Sequence, residues 1–243
     1  MHIQKSTLSV VLIAIFIIAV LFAQTGLTKS LYVNVITPGS VRAYKIVGDH
    51  IQYQTNAQNL VYYGYSPIGL ALDPDSGIAF ITYEDQKIIE LLNAKTMVSL
   101  QKITTVKDAS NLAGVTFDKS KQKLYVVERR DNRLYVYLWN PVTRNLNLEG
   151  DIHKTLENIG SYPDGAYGVA LNELTNRLYV TNATNTVHYY DTATWEHRGS
   201  IPIVVGGTPR QAVGIAIDSN RRYMSPAHSP EDPVAIHALS GRI

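Results

Sequence analysis

Three features of the 243-residue sequence together predict an all-β fold, a β-propeller of four-stranded blades. A glycine-led apolar pentapeptide ending in Asp or Asn recurs as Gly69-Leu70-Ala71-Leu72-Asp73, Gly114-Val115-Thr116-Phe117-Asp118, Gly168-Val169-Ala170-Leu171-Asn172 and Gly214-Ile215-Ala216-Ile217-Asp218, at spacings of 45, 54 and 46 residues. Apolar or aromatic residues return in fixed register ten to twelve positions after the first three glycines, as Ala79-Phe80-Ile81, Leu124-Tyr125-Val126 and Leu178-Tyr179-Val180. Turn formers such as Asp73-Pro74-Asp75-Ser76-Gly77 and Asn93-Ala94-Lys95-Thr96 separate short alternating runs. A period of about 40 to 50 residues holding four strands is the sequence signature of a propeller blade.

Taken from the N-terminus, residues 1–28 read as a signal peptide or membrane anchor. Lys5 precedes an apolar run from Leu8 to Ala23, and no charged residue occurs between Ser6 and Thr28. The run is at the top of the range for a signal core and just short of a spanning helix, so cleavage and retention are both open. Residues 29–224 hold the blades. Leu31-Tyr32-Val33 and Ser40-Val41-Arg42-Ala43-Tyr44 match the second and third strands of a unit with no opening strand before them. Gly214 to Asp218 is a candidate for that missing strand, which would close a four-bladed ring. The rival reading is an incomplete array of about four blades, because Asn220 to Met224 begins a further hairpin that then stops. Residues 225–243 are expected to be an irregular tail, since Pro226, Pro230 and Pro233 are unsuited to a central strand.

Within the first full unit the expected strands are Ile68 to Leu72, Ile78 to Tyr83, Lys87 to Leu92 and Val98 to Ile103. The Asp or Asn closing each first strand suits a turn, where its side chain bonds backbone amides two residues on. The long 54-residue interval places an excursion within Asn145 to Tyr167. Ile152, Leu156 and Ile159 have helical spacing there, so a helical turn is expected.

Tyr179-Val180-Thr181-Asn182, with Asn185, Val187 and Asp191-Thr192-Ala193-Thr194 downstream, resembles the YVTN-type β-propeller repeat family of exported and cell-surface proteins. Val205-Gly206-Gly207-Thr208-Pro209 resembles the Gly-x-x-Pro that opens the next blade in that family. The resemblance covers roughly residues 66 to 224 and marks blade architecture more than activity. It implies an exported or surface-anchored binding scaffold for a protein, glycan or cell-envelope component. Propellers similar to these repeats also include lactonase-type hydrolases and quinoprotein dehydrogenase subunits, so an enzyme is the alternative.

Composition narrows the chemistry. The formal charge of +2 arises from 22 basic and 20 acidic residues mixed along the chain, which leaves no footprint for nucleic acid. With no cysteine, thiolate metal sites, thiol nucleophiles and disulfides are excluded. No phosphate loop, dinucleotide fingerprint or metal-binding helix motif is present, and neither cofactor nor metal is expected. His188 and His197 read as exposed strand and turn residues. The loops entering the opening strands are where a propeller binds its ligands. Asp108, Asp164, Tyr167 and Arg210 form the candidate rim there, suited to a carbohydrate or another polar ligand, with Tyr62, Tyr63, Tyr65 and Tyr162 nearby. The competing reading makes these tyrosines packing between blades. Arg129-Arg130-Asp131-Asn132-Arg133 reads as solvated charge on a hairpin tip.

Overall fold

A computed structural model describes residues 20–25, 28–35, 40–47, 50–57, 67–83, 86–104, 111–149, 154–161, 163–182, 184–205, 208–209, 212–218, 223–228 and 237–238. Among them there is no α-helix, and the strands form antiparallel sheets, most of them simple meanders. The first sheet holds β1 (Val20–Thr25), β2 (Thr28–Val35), β3 (Ser40–Val47) and β4 (His50–Asn56), paired in that order. The second holds β5 (Pro67–Asp73), β6 (Ile78–Tyr83), β7 (Ile88–Asn93) and β8 (Val98–Thr104). The third comprises β9 (Leu112–Asp118), β10 (Lys123–Glu128), β11 (Arg133–Asn140), β12 (Asn145–Leu148) and β13 (Lys154–Thr155). The fourth comprises β14 (Ala166–Asn172), β15 (Arg177–Asn182), β16 (Thr186–Asp191) and β17 (His197–Pro202). A two-stranded link, β18 (Val204–Val205) with β19 (Thr208–Pro209), precedes a sheet of β20 (Ala212–Asp218), β21 (Tyr223–His228) and β22 (His237–Ala238).

The alternation of side chains along each strand builds a core on both faces of the middle sheets. On β6, Ile78 and Phe80 pack toward the third sheet beside Leu124, Tyr135 and Trp139. Its Ala79, Ile81 and Tyr83 pack toward the first sheet with Tyr32, Val41 and Met97. Every residue of β6 is therefore buried, which is why it reads as a continuous apolar run. The third and fourth sheets share Tyr125, Val127, Val169, Leu178 and Val180, and Tyr179, Val187 and Ala212 join the fourth sheet to the last. Outer strands are wet: β4 is exposed almost throughout, and β17 alternates between exposed and half-buried.

The repeated glycines lie where neighbouring first strands touch. β5 lies against β9, β9 against β14, and β14 against β20. A Cβ on Gly114 would come 2.7 Å from Tyr167 O, 2.8 Å from Val169 N and 3.0 Å from the Gly168 Cα. Gly168 in turn would strike Val213 O at 2.9 Å and the Gly214 Cα at 3.0 Å. Space, not left-handed backbone, requires glycine at these positions.

The four residues Tyr179 to Asn182 each have a structural task. Tyr179 and Val180 fill opposite faces of the fourth sheet. Thr181 accepts the Gly168 amide at 2.8 Å, which satisfies a donor released by the register shift between Ala166 and Val169. Thr82 plays the same part for Gly69 in the second sheet, and its hydroxyl reaches the carbonyl of Ala113 in the next. The Asn182 carboxamide caps the following turn through Thr184 and donates to Ile159 O at 3.1 Å.

The Asp and Asn residues that close the first strands are turn caps. Asp73 Oδ1 accepts the Asp75 amide, Asp118 Oδ1 the Lys121 amide, and Asn172 Oδ1 the Leu174 amide. Asn93, Asn140 and Asp191 do the same after the third strands. The fifth residue of these turns has positive φ: 66° at Gly77, 58° at Met97, 52° at Gln122, 55° at Arg144, 51° at Asn176 and 62° at Trp195.

Several expectations change. β1 opens the first sheet from residues assigned by sequence to the N-terminal segment, because a run of Val, Leu and Phe suits a strand as well as an export core. β20 pairs with β21, so Gly214 to Asp218 is not the opening strand of the first sheet. Part of the segment 225–243 is strand rather than irregular. Pro226 stands opposite Ile215 of β20, and among the described residues β22 pairs only Tyr223 and Met224, so Pro226 has a strand neighbour on one side. The excursion is not helical at Lys154–Thr155, which pair with Arg133 and Leu134 of β11. Leu156 and Ile159 are buried in the core through a turn. Residues 1–19 and Asp151 to His153 lie outside the described residues.

Candidate functional site

Of the four candidate rim residues, Asp108 and Arg210 lie outside the described residues, as do Tyr62, Tyr63, Tyr65 and Tyr162. Asp164 and Tyr167 lie on the segment that climbs into β14, and the structure joins this segment to the β10–β11 turn. Arg129 sits over the Tyr167 ring, 4.7 Å from its centroid, and donates to the Pro163 carbonyl from Nη2 at 2.9 Å and from Nε at 3.3 Å. Asp164 is exposed, its amide bonded to Ser161 O at 2.8 Å. Asn132 clamps the arrangement: its Oδ1 accepts the Ala166 amide at 2.9 Å and its Nδ2 donates to Gly160 O. The Asn132 backbone carbonyl also receives the Leu156 amide at 2.8 Å. Its φ of 53° is a strain that Asn tolerates better than most residues.

These contacts give the basic turn a role beyond solvated charge. Glu128, wholly buried, accepts the amides of Arg130 and Asp131 and so fixes the turn from below. The Arg129 amide donates to Asn111 O at 2.9 Å, at the entry to β9. The result is a rim of cation, half-buried phenol and exposed carboxylate, held by bonds from the Arg129 and Asn132 side chains to the backbone that enters the fourth sheet.

A second polar cluster lies below the excursion. His188 is 7% exposed, which overturns the expectation of an exposed residue. Its Nδ1 lies 3.2 Å from His197 Nε2, and the chain continues to Asn182 and Asn158, each 3.5 Å from an imidazole nitrogen. Burial, then the adjacent His197, lowers the pKa of His188 to about 4. The Tyr190 hydroxyl donates to Glu157 O at 2.8 Å, and burial raises its pKa. The pair docks the Leu156 to Gly160 turn onto the fourth sheet. Nine residues apart in sequence, the two histidines meet across β16 and β17, where the register shifts between Tyr189 and Tyr190. Among the described residues no group of three or more His, Asp or Glu side chains is placed to hold a metal ion.

No protein-family model matches the chain, and no curated protein matches it. Solved structures do. A chain from the crystal structure of a mitotic checkpoint complex superposes with a TM-score of 0.56 at 13% identity, over 91% of this chain and 62% of that one. The present chain thus spans about three fifths of that neighbour's length. At this identity the likeness concerns the fold alone.

Proposed function

We propose that the successive sheets are blades of a YVTN-type β-propeller, and that the chain is a scaffold binding a protein partner through the rim built on Arg129, Asn132, Asp164 and Tyr167. The observation that carries this reading is the Arg129–Tyr167–Pro163 clamp. It holds an exposed carboxylate, a phenol and a guanidinium on loops fixed from two sheets at once. Such a rim is preorganised, so a partner need not order the loops in order to bind. The structural neighbour belongs to a complex of proteins, which supports a scaffold role without identifying a partner here.

Display outside the cell, with a cell-envelope component or glycan as a further partner, is supported by Lys5 and the apolar run that follows it. Affinity capture with the full chain, compared quantitatively with an Arg129→Ala/Tyr167→Ala variant, tests the scaffold. Proteins lost from the variant at unchanged thermal stability support the rim; an identical capture profile refutes it.

A further inference from the structure

A groove of about 510 Å³ opens between the third and fourth sheets, running from the β9–β10 turn toward β13, within the roughly 300–1,000 Å³ typical of small-molecule sites. Its walls bring Lys121, Lys123 and Lys154 together with Asn176, Tyr125 and Trp195. Among the described residues one carboxylate, Glu149, lines it, bonded to Lys123 Nζ at 2.7 Å, and Asp118 and Glu173 stand close enough to act on Tyr125. Asp118 stands behind Lys121 at 3.5 Å, and the same ammonium donates to Asn176 Oδ1 at 2.6 Å. Lys154, exposed on β13, has no carboxylate within ion-pair distance among the described residues. Among the described residues, Lys154 thus offers the groove an ammonium that no carboxylate neutralises.

Trp195 supplies the second observation. It occupies the left-handed fifth position of its turn, with φ of 62°, where a bulky side chain is an outlier. The equivalent Met97 is 1% exposed and wholly committed to the core. Trp195 packs against the core shared by the third and fourth sheets, its ring centroid 6.0 Å from that of Tyr125, and stays half-buried where it lines the groove. An apolar ring face beside ammonium, amide and hydroxyl donors matches a pyranose bearing an anion, whose C–H face stacks while its charged group meets lysine.

We propose that this groove binds an acidic saccharide, with a sugar ring on Trp195 and a carboxylate or sulfate ester on Lys154. The site is separate from the Arg129 rim and stands or falls without it.

Tryptophan emission reads binding directly, because the only other tryptophan, Trp139, is 4% exposed and bonded to Asp73. The full chain is titrated with a glucuronate-containing hyaluronan tetrasaccharide, a sulfated heparin tetrasaccharide, neutral chitotetraose and sodium sulfate. A saturable change is expected with one or both acidic saccharides, weakening as salt rises and identifying which anion Lys154 prefers. Lys154→Gln, an exposed change that leaves the core untouched, is expected to weaken binding about tenfold. Lys95→Gln, on an exposed turn of the second sheet, should leave it unchanged. The proposal is overturned by the absence of a saturable response to either acidic saccharide. It is also overturned by equal binding of chitotetraose, by sodium sulfate binding as tightly as the saccharides, or by a Lys154→Gln variant that binds as well as wild type.

Discussion

Replacing Gly114 with alanine puts one methyl group where three backbone atoms already stand. The new Cβ would lie 2.7 Å from Tyr167 O, 2.8 Å from Val169 N and 3.0 Å from the Gly168 Cα. None of these is a flexible side-chain end, so relief requires β9 and β14 to separate by about half an ångström or more, which forfeits a quarter or more of each dispersion contact across the seam. Ala113, Ala166 and Val169, all buried there, would lose packing together. Overpacking of this kind costs roughly 1–3 kcal/mol. The stiffer unfolded chain returns at most about 1 kcal/mol. A net loss of about 1.5 kcal/mol is expected, or a fall in Tm of roughly 3–6 °C for a chain of this size. Urea denaturation followed by tryptophan emission, with a thermal scan alongside, measures both quantities. Gly77→Ala is the control: its Cβ would meet nothing within 4 Å, and its φ of 66° isolates the conformational cost. Because Tyr167 and Val169 are the atoms displaced, Gly114→Ala should also weaken partner binding at the Arg129 rim. A Gly114→Ala protein within 1 °C of wild type would refute the packing argument.

Other consequences follow from the turns and the buried polar groups. Thr181→Val keeps the shape and removes the acceptor for the Gly168 amide, so a loss of about 1–3 kcal/mol is expected in the same denaturation assay. Arg144 is exposed with φ of 55°, and Arg144→Gly should stabilise by about 0.5 kcal/mol, since relief of left-handed strain slightly exceeds the entropy of glycine. His188 takes up a proton near pH 6.5 when unfolded but only near 4 when folded. Its stabilising contribution is therefore complete above about pH 6.5 and is lost as pH falls toward about 4. The shift corresponds to roughly 3 kcal/mol at most, reduced to about 2 kcal/mol by water around the half-buried pair. Unfolding free energies measured from pH 7 to 4 should fall more steeply for wild type than for His188→Gln; equal slopes would refute this.

Sheet order and strand limits were legible because period-two alternation and side-chain turn caps are local signals. Ile78 to Tyr83 coincides with β6 residue for residue, and Asp73, Asp118 and Asn172 are the caps that their chemistry suggested. The reason for the glycines was hidden, since a close approach between β9 and β14 involves residues 54 positions apart. Left-handed turn positions were hidden too, because Met97, Gln122, Arg144 and Trp195 occupy places where glycine or asparagine would have announced them. Tyr167 and Asp164 were singled out from their place before the third opening strand, whereas Arg129 read as solvated charge because its partners, Pro163 and Tyr167, come from the next sheet. The His188–His197 contact depends on a register shift that no spacing rule reveals. Val20 to Thr25 was ambiguous in principle, because one apolar run serves either a leader or a strand.

Amide hydrogen exchange on the full chain, with and without the captured partner, tests most directly whether the rim is the binding face. Protection is expected at residues 128–132 and 160–167, the two segments tied together by Arg129 and Asn132, with the Asn140 to Asn145 turn unchanged. Protection confined to the outer strands β4 and β17, with the Arg129 and Tyr167 segments exchanging as in the free protein, would contradict it.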